Sequence, residues 1–307
     1  MSGANEVENV YSAIEESARL VGVPCSRDNI WPIVDAYKDG LPEAVISISV
    51  ATDKAHAGEL DYTITVPPGN GDPHAVALSN GFVTETDHPV GSLLSDIVDR
   101  FPVRGYAVDC GVIGGFKKIY SYFLLDDMPS ASKLADIPSM PRAVAKNGDL
   151  FAGHGLEANN VTMTTIDYQS KTVNLYFGKL SAECLEPKNL QSLLREIGLP
   201  EVGEQTMEII RKSFSIYVTV NWDSPDISRI CFATPPSPEL ITLPAELEPG
   251  VEQFVNNAAY DYPGKRVLIY GIACSPGGEY YKVGSYYRLA PQTRKQLAAF
   301  NTGENKA

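Results

Sequence analysis

The 307-residue chain has few cysteines: five, at positions 25, 110, 184, 231 and 274, never in a CxxC pair. An odd, scattered set excludes a disulfide framework or a zinc site and fits reduced, packed thiols. The four histidines, at 56, 74, 88 and 154, show no HExxH or related ligand spacing. No GxGxxG follows a strand and neither GxxxxGK[ST] nor GxSxG occurs, so Rossmann, P-loop and α/β-hydrolase readings lose their main support. Basic residues are also short. Lys and Arg number 25 against 38 Asp and Glu, a net charge of −13, which argues against nucleic acid or an anionic membrane as partner. No apolar run approaches the roughly 20 residues that span a bilayer. Met1–Asn9 carries Glu6 and Glu8 but no Lys or Arg, unlike a signal peptide. A cytoplasmic location is expected.

What remains is an ordinary globular composition, 44% hydrophobic and 21% charged, organised by alternation. Successive strand residues point to opposite faces, and five pairs of alternating runs read as β-hairpins. They are 44–50 with 59–66, 103–110 with 117–123, 161–168 with 171–177, 214–221 with 227–233, and 267–274 with 279–287. Amphipathic helices lie between them. One carries Val7, Val10, Tyr11, Ile14, Ala18 and Val21, and a second carries Ile30, Ile33, Val34 and Tyr37. A third, capped by Asp87 with Pro89 in its first turn, has the stripe Val90, Leu93, Leu94, Ile97 and Val98. Shorter ones end near Gly153, run from Pro187 to Gly198, and cover 206–212 and 252–258. A last helix at about 293–300 precedes a flexible tail, 301–307, and the proline-rich stretch 234–250 is a loop.

The hairpins centre near residues 55, 113, 169, 224 and 276, a nearly constant step with helix on either side. Five αββα units without a linker predict one α+β domain, 1–307. Helices cover the apolar faces of the hairpins. The polar faces then either meet water on an open sheet or line the lumen of a closed ten-stranded antiparallel barrel ringed by helices. Closure is the expectation, because an open sheet exposes two edges and ten strands enclose more space than side chains fill.

The residues on the polar face favour closure too. Glu279–Tyr287 puts Tyr280, Lys282, Gly284 and Tyr286 on one side, a cation between phenols with a glycine leaving room. The same parity gathers Lys118, Tyr120, Tyr122, Asn174, Tyr176, Tyr217 and Arg229, with Asp61 and Asp109 as acids. Three cations inside a chain of net charge −13 match a polyanion such as a diphosphate. Tyrosine faces can stabilise a carbocation while excluding water. Each Lys alone is better read as surface and each Tyr as packing; the shared parity across five hairpins reverses that.

The chain also carries Gly58-Glu59-Leu60-Asp61, Gly114-Gly115-Phe116-Lys117-Lys118, Ile137-Pro138-Ser139-Met140-Pro141, Val173-Asn174-Leu175-Tyr176-Phe177, Ser213-Phe214-Ser215-Ile216-Tyr217 and Glu279-Tyr280-Tyr281-Lys282. In these stretches it resembles the soluble ABBA-type (PT-barrel) aromatic prenyltransferases of actinobacterial secondary metabolism, from about Val7 to Phe300. The resemblance implies a ten-stranded barrel and transfer of an allylic group, geranyl or dimethylallyl, from its diphosphate to an electron-rich phenol, dihydroxynaphthalene or related aromatic polyketide. It implies a diphosphate site of Lys118, Asn174, Tyr217, Arg229 and Lys282. It implies a Mg2+ ligand at Asp61, with Asp109 and Ser49 acting through water, although members of the family also work without the ion. It implies a pocket of Ser47, Thr63, Tyr120, Thr162, Met163, Tyr176, Phe214, Ser215, Gly284 and Tyr286. The partners are then a prenyl diphosphate and an aromatic acceptor, with a monomer expected. One departure stands out: where such proteins place a further lysine on the diphosphate, the third hairpin reads Tyr168-Gln169-Ser170-Lys171, with Ser170 there and Lys171 facing outward. Two alternatives remain. Asp61 could serve only as counter-charge to a lumen cation, and the barrel could bind an aromatic metabolite without catalysis. A cyclase or hydrolase finds no paired-carboxylate spacing, and Asp126-Asp127 is not a DDxxD motif.

Overall fold

The computed structural model describes residues 3–52, 59–67, 69–157 and 160–293. Ten strands pair each with the next in sequence: β1 (Ile46–Ala51), β2 (Leu60–Val66), β3 (Val103–Gly111), β4 (Gly115–Phe123), β5 (Val161–Asp167), β6 (Thr172–Phe177), β7 (Ser215–Asn221), β8 (Arg229–Ala233), β9 (Leu268–Ser275) and β10 (Gly278–Arg288). β1 also pairs antiparallel with β10, placing Ser49 opposite Gly284, so the sheet closes into a barrel. Closure removes both edges.

Outside lie α1 (Gly3–Val21), α2 (Arg27–Ala36), α3 (Pro73–Ser79), α4 (Leu93–Val98), α5 (Ala131–Ala135), α6 (Arg142–Lys146), α7 (Gly148–Gly153), α8 (Pro187–Glu196), α9 (Glu204–Ile210) and α10 (Pro249–Asn257). The core is the layer between strands and helices. Val10 and Ile14 of α1, Leu190 and Leu194 of α8, and Phe254 of α10 are buried against it. So are Ile48, Ile64, Val108, Val173, Val218 and Ile272 from the strands. Each such aliphatic or aromatic side chain contributes about 1.5–3 kcal/mol when fully buried. The apolar parity thus faces the helices and leaves the opposite face to the lumen.

Departures from the sequence expectation have local causes. Pro89 starts a 3-10 turn, Pro89–Gly91, capped by His88 rather than Asp87, with His88 Nδ1 accepting from Val90 N at 3.1 Å. α4 begins only at Leu93, and Val98 at its end is 41% exposed and leaves the stripe. α3 and a 3-10 segment at Lys38–Glu43 were not expected, both being too short to show a helical period. The first hairpin's turn (53–58), the last helix beyond residue 293 and the tail 301–307 lie outside the described residues.

Four β-bulges break strict alternation. Asp109 opposes Lys118 while Cys110 opposes Phe116, so Lys117 is the extra residue of β4. Arg104 is extra in β3, Thr162 in β5, and Tyr287 in β10 at the closing seam. A bulge re-aims the side chain it inserts.

Candidate active site

At one end of the barrel the lumen opens into a mouth of about 390 Å³, lined by Glu59, Asp61, Lys117, Lys118, Asp167, Ser170, Thr172, Thr219, Ser228, Arg229, Ser275, Tyr280 and Lys282. Asp61, Lys118, Arg229 and Lys282 also line the adjoining inner chamber of about 210 Å³. Its other walls include Ser47, Ser49, Thr63, Asp109, Tyr120, Met163, Asn174, Tyr176, Phe214, Ser215, Tyr217 and Gly284. Nearly every residue singled out in the sequence therefore lines one continuous space. The exceptions are Tyr122, Thr162 and Tyr286, which line neither cavity. Thr162 is the bulged residue of β5, and its hydroxyl donates to the Tyr176 carbonyl at 3.2 Å. Tyr286 pairs with Ser47 and bears on the ionisation of Tyr122, toward the other end of the lumen. There a further cavity of about 480 Å³ is lined by Thr65, Arg104, Tyr122 and Pro291, among others.

The mouth is wired by short polar contacts. Arg229 Nη1 donates to the Tyr280 hydroxyl at 2.8 Å, and its Nε and Nη2 donate to Thr219 Oγ1 at 3.3 and 3.2 Å. Thr219 in turn donates to Asn174 Oδ1 at 2.8 Å, which turns the Asn174 amide donor toward Tyr176 Oη, 3.4 Å away. This chain fixes the guanidinium plane and leaves its charge facing the cavity. Lys118 lies 3.8 Å from Asp167. Burial alone would lower its pKa, but Asp109, Asp167 and Asp61 outweigh that and raise it, so Lys118 stays charged. Arg229 is likewise held charged.

Lys282 differs. Burial, then the proximity of Lys118 and Arg229, lowers its pKa from the ordinary lysine range, and it has no ion-pair partner among the described residues. A bound polyanion would reverse that. Diphosphate binding should therefore weaken as pH rises toward the lowered Lys282 pKa, because the neutral amine must first take up a proton. Calorimetry of pyrophosphate binding in buffers of different ionisation enthalpy should show proton uptake that grows with pH, and that growth should vanish in Lys282→Met.

Below the cations stands an aromatic wall. Tyr176 and Tyr217 stack with centroids 4.3 Å apart, Tyr120 lies 6.1 Å from Tyr176, and Tyr122 lies 6.4 Å from Tyr120. Burial raises the pKa of all four phenols, which remain neutral π-faces rather than nucleophilic phenolates. Phe214, just before β7, is 48% exposed yet lines the chamber. Gly284 leaves space that a Cβ would take, since that atom would come within 2.8 Å of Ile269 Cγ2.

Three residues at the mouth, Thr219, Asp167 and Lys117, are not singled out by the sequence, and the role of a fourth, Tyr280, is not evident from it. Thr219 shares the strand parity of Tyr217, but its role comes from its neighbours Arg229 and Asn174. Asp167 ends β5, where its carboxylate accepts from the Gln169 and Ser170 amides at 3.0 and 2.8 Å and faces Lys118. Tyr280 was read as a lumen phenol but not as the partner of Arg229. Lys117 has the opposite strand parity to Lys118, yet its Nζ lies 2.8 Å from Asp61 Oδ1. This pairing matches the counter-charge alternative for Asp61.

The expected Mg2+ site can be tested against these contacts. Mg2+ commonly takes one or two protein carboxylates and completes its shell with water and phosphate oxygens. Asp61 Oδ1 is already held by Lys117. Asp109 accepts from Thr63 at 3.0 Å and from Tyr120 at 3.5 Å, and burial raises its pKa. Its Oδ1 is buried without a hydrogen-bond partner among the described residues. Ser49 sits opposite Asp61 in the β1–β2 register. No group of three or more metal-binding side chains converges among the described residues. The set does not form a ready Mg2+ site: too few ligands converge, and an ion at Asp61 would compete with the Lys117 ammonium for that carboxylate.

Fold and site together define a closed ten-stranded barrel that sets a cationic mouth above an aromatic chamber. The chain belongs to the aromatic prenyltransferase Orf2 family, which it matches over residues 5–300. It is 42% identical to a 5,10-dihydrophenazine-1-carboxylate 9-dimethylallyltransferase of Streptomyces anulatus, over 97% of this chain and 99% of that one. It is 41% identical to a flaviolin linalyltransferase of Streptomyces virginiae, over 97% and 98%. It is 42% identical to a furaquinocin biosynthesis prenyltransferase of Streptomyces sp. (strain KO-3988), over 96% and 94%. The crystal structure of the prenyltransferase PriB in its apo form shares the fold at 12% identity, with a TM-score of 0.50 covering 92% of this chain and 96% of that one. No helix among the described residues is long and apolar enough to cross a membrane.

Proposed function

We propose that the enzyme transfers a dimethylallyl or geranyl group from its diphosphate to a ring carbon of an electron-rich phenol, dihydroxynaphthalene or related aromatic by Friedel–Crafts alkylation. The observation that carries this reading is the convergence of Lys118, Arg229 and Lys282 on one mouth that opens directly onto the Tyr120–Tyr176–Tyr217 wall. The diphosphate binds the three cations, with Asn174 and the Tyr217 hydroxyl as neutral partners. Fixed positive charge stabilises the departing pyrophosphate as the allylic C–O bond breaks, which is preorganised electrostatic catalysis. The allyl cation rests against the tyrosine faces, shielded from water that would quench it. A ring carbon attacks, and loss of its proton restores aromaticity. The relatives' names support a five- or ten-carbon donor and an oxygen- or nitrogen-rich aromatic acceptor. They place the chain in secondary metabolism.

Incubation with dimethylallyl or geranyl diphosphate and a panel of dihydroxynaphthalenes and dihydrophenazines should give prenylated product with release of pyrophosphate. Binding of both ligands without turnover in any combination would identify a carrier instead. Tyr176→Leu replaces a π-face with a smaller aliphatic side chain. It should lower coupling to the acceptor roughly tenfold, the scale of a desolvated cation–π contact. The prenyl alcohol formed by water capture should rise in proportion, read by chromatography of both products. An unchanged product ratio would remove the tyrosine wall from the mechanism.

A further inference from the structure

We propose that Lys117 is a fourth diphosphate-binding cation, set into the mouth by the β4 bulge and held on Asp61 until the donor arrives. The proposal rests on the diphosphate reading of the mouth. Without the bulge, Lys117 would point into the helix layer, as alternation along β4 predicts. The bulge is built rather than incidental. The Tyr168 amide donates to the Lys117 carbonyl at 2.9 Å. The Gln169 side-chain amide donates to the carbonyls of Phe116 and Gly114 at 2.9 and 2.7 Å. The turn between β5 and β6 thus clamps the turn between β3 and β4. Gly111 lies beside the pair: a Cβ there would sit in contact, 3.4 Å from both Lys117 Cδ and Asp61 Oδ1.

Charge at the mouth gives this cation a task. Lys117, Lys118, Arg229 and Lys282 face the acids Glu59, Asp61 and Asp167, a small surplus for a ligand carrying about three negative charges at neutral pH. The turn that clamps the bulge also carries Ser170, not lysine, at the mouth, where its hydroxyl meets Thr172 Oγ1 at 2.9 Å. An ammonium on a flexible stem has three donors, so Lys117 can keep Asp61 and still reach a phosphate oxygen. The same contact makes it a competitor of any divalent cation for Asp61. Lys117 therefore supplies charge that Ser170 does not, and it lessens the donor's reliance on metal.

Inorganic pyrophosphate binding by calorimetry, in EDTA and in millimolar Mg2+, tests this in wild type, K117Q and K117R. In EDTA, K117Q should bind about tenfold more weakly, the scale of one charge-assisted hydrogen bond, and K117R should stay near wild type. Mn2+ titration of the pyrophosphate complex by electron paramagnetic resonance should show tighter metal binding in K117Q, whose Asp61 is released. Turnover of the wild type should change little on EDTA treatment, while K117Q should become metal-dependent. Weakened pyrophosphate binding in K117Q supports the proposal even if no donor is turned over, in which case the prenyl-transfer reading fails alone. Equal pyrophosphate affinity of K117Q and wild type in EDTA, or equal metal requirement, overturns the proposal while leaving that reading intact.

Discussion

Lys282→Ala and Arg229→Ala should each lower kcat/KM for the prenyl diphosphate by about 10²–10³-fold, the cost of removing one preorganised donor from a developing oxyanion. Both side chains point into the cavity where the anion would sit, and neither has a carboxylate partner among the described residues. Their positive charge is thus available to a ligand. The two variants should differ in stability. Lys282 is a crowded buried cation whose lowered pKa records the cost of keeping it charged, so its removal should leave the melting temperature unchanged or raised. Arg229 anchors the Thr219–Asn174 chain and Tyr280, so its removal should cost about 1–2 kcal/mol through hydrogen bonds left unmade. Steady-state kinetics with thermal melts separates the two effects. Near wild-type rates in both variants would remove the diphosphate assignment.

Arg288→Met is expected to have the largest effect on folding. Arg288 is buried at the end of β10, where its Nη1 lies 2.9 Å from Glu6 Oε2 of α1 and donates to the Leu41 carbonyl at 2.7 Å. Its Nε and Nη2 lie 3.0 and 2.9 Å from Asp261 Oδ2. One side chain therefore ties the last strand to the first helix, the 3-10 segment and the loop after α10. Removing it strands Glu6, itself buried, without a counter-charge, and breaking such a pair costs about 3–5 kcal/mol. Urea denaturation should show that loss. The double variant Glu6→Gln/Arg288→Met should recover part of it, because the uncompensated carboxylate is gone. Equal losses in the single and double variants would mean that the guanidinium acts through packing alone.

Alternation along each strand was enough to place Lys118, Asn174, Tyr176, Tyr217, Arg229 and Lys282 on one face, because side-chain direction repeats every two residues and a closed barrel turns that face inward. The helix stripes of α1 and α8 were legible for the same reason at a different period. Alternation fails where a strand holds an extra residue. Lys117 is such a residue, opposite in parity to Lys118 yet part of the same mouth; Thr162, which the resemblance implies in the pocket, is another and lines neither cavity. A bulge depends on cross-strand register and on the clamp from Gln169, neither of which is a local property of the sequence around it. Thr219 and Asp167 were hidden differently: a threonine in a strand and an aspartate at a turn are commonplace, and only the approach of Arg229, Asn174 or Lys118 gives them work.

The seam between β1 and β10 also governs the order in which the molecule can form. Nine of the ten strand pairings join neighbours along the chain through a turn or a helical connection, and hairpins close in about 1–10 μs once their residues are available. The pairing of Ser49 with Gly284 instead waits for nearly the whole polypeptide, and its loop-closure entropy is met only after every other hairpin has docked. During synthesis the nascent protein therefore passes through an open trough, with two unpaired edges and its lysines and tyrosines exposed to solvent. Binding competence arrives in one late step, when the terminal strand docks and the trough becomes a chamber.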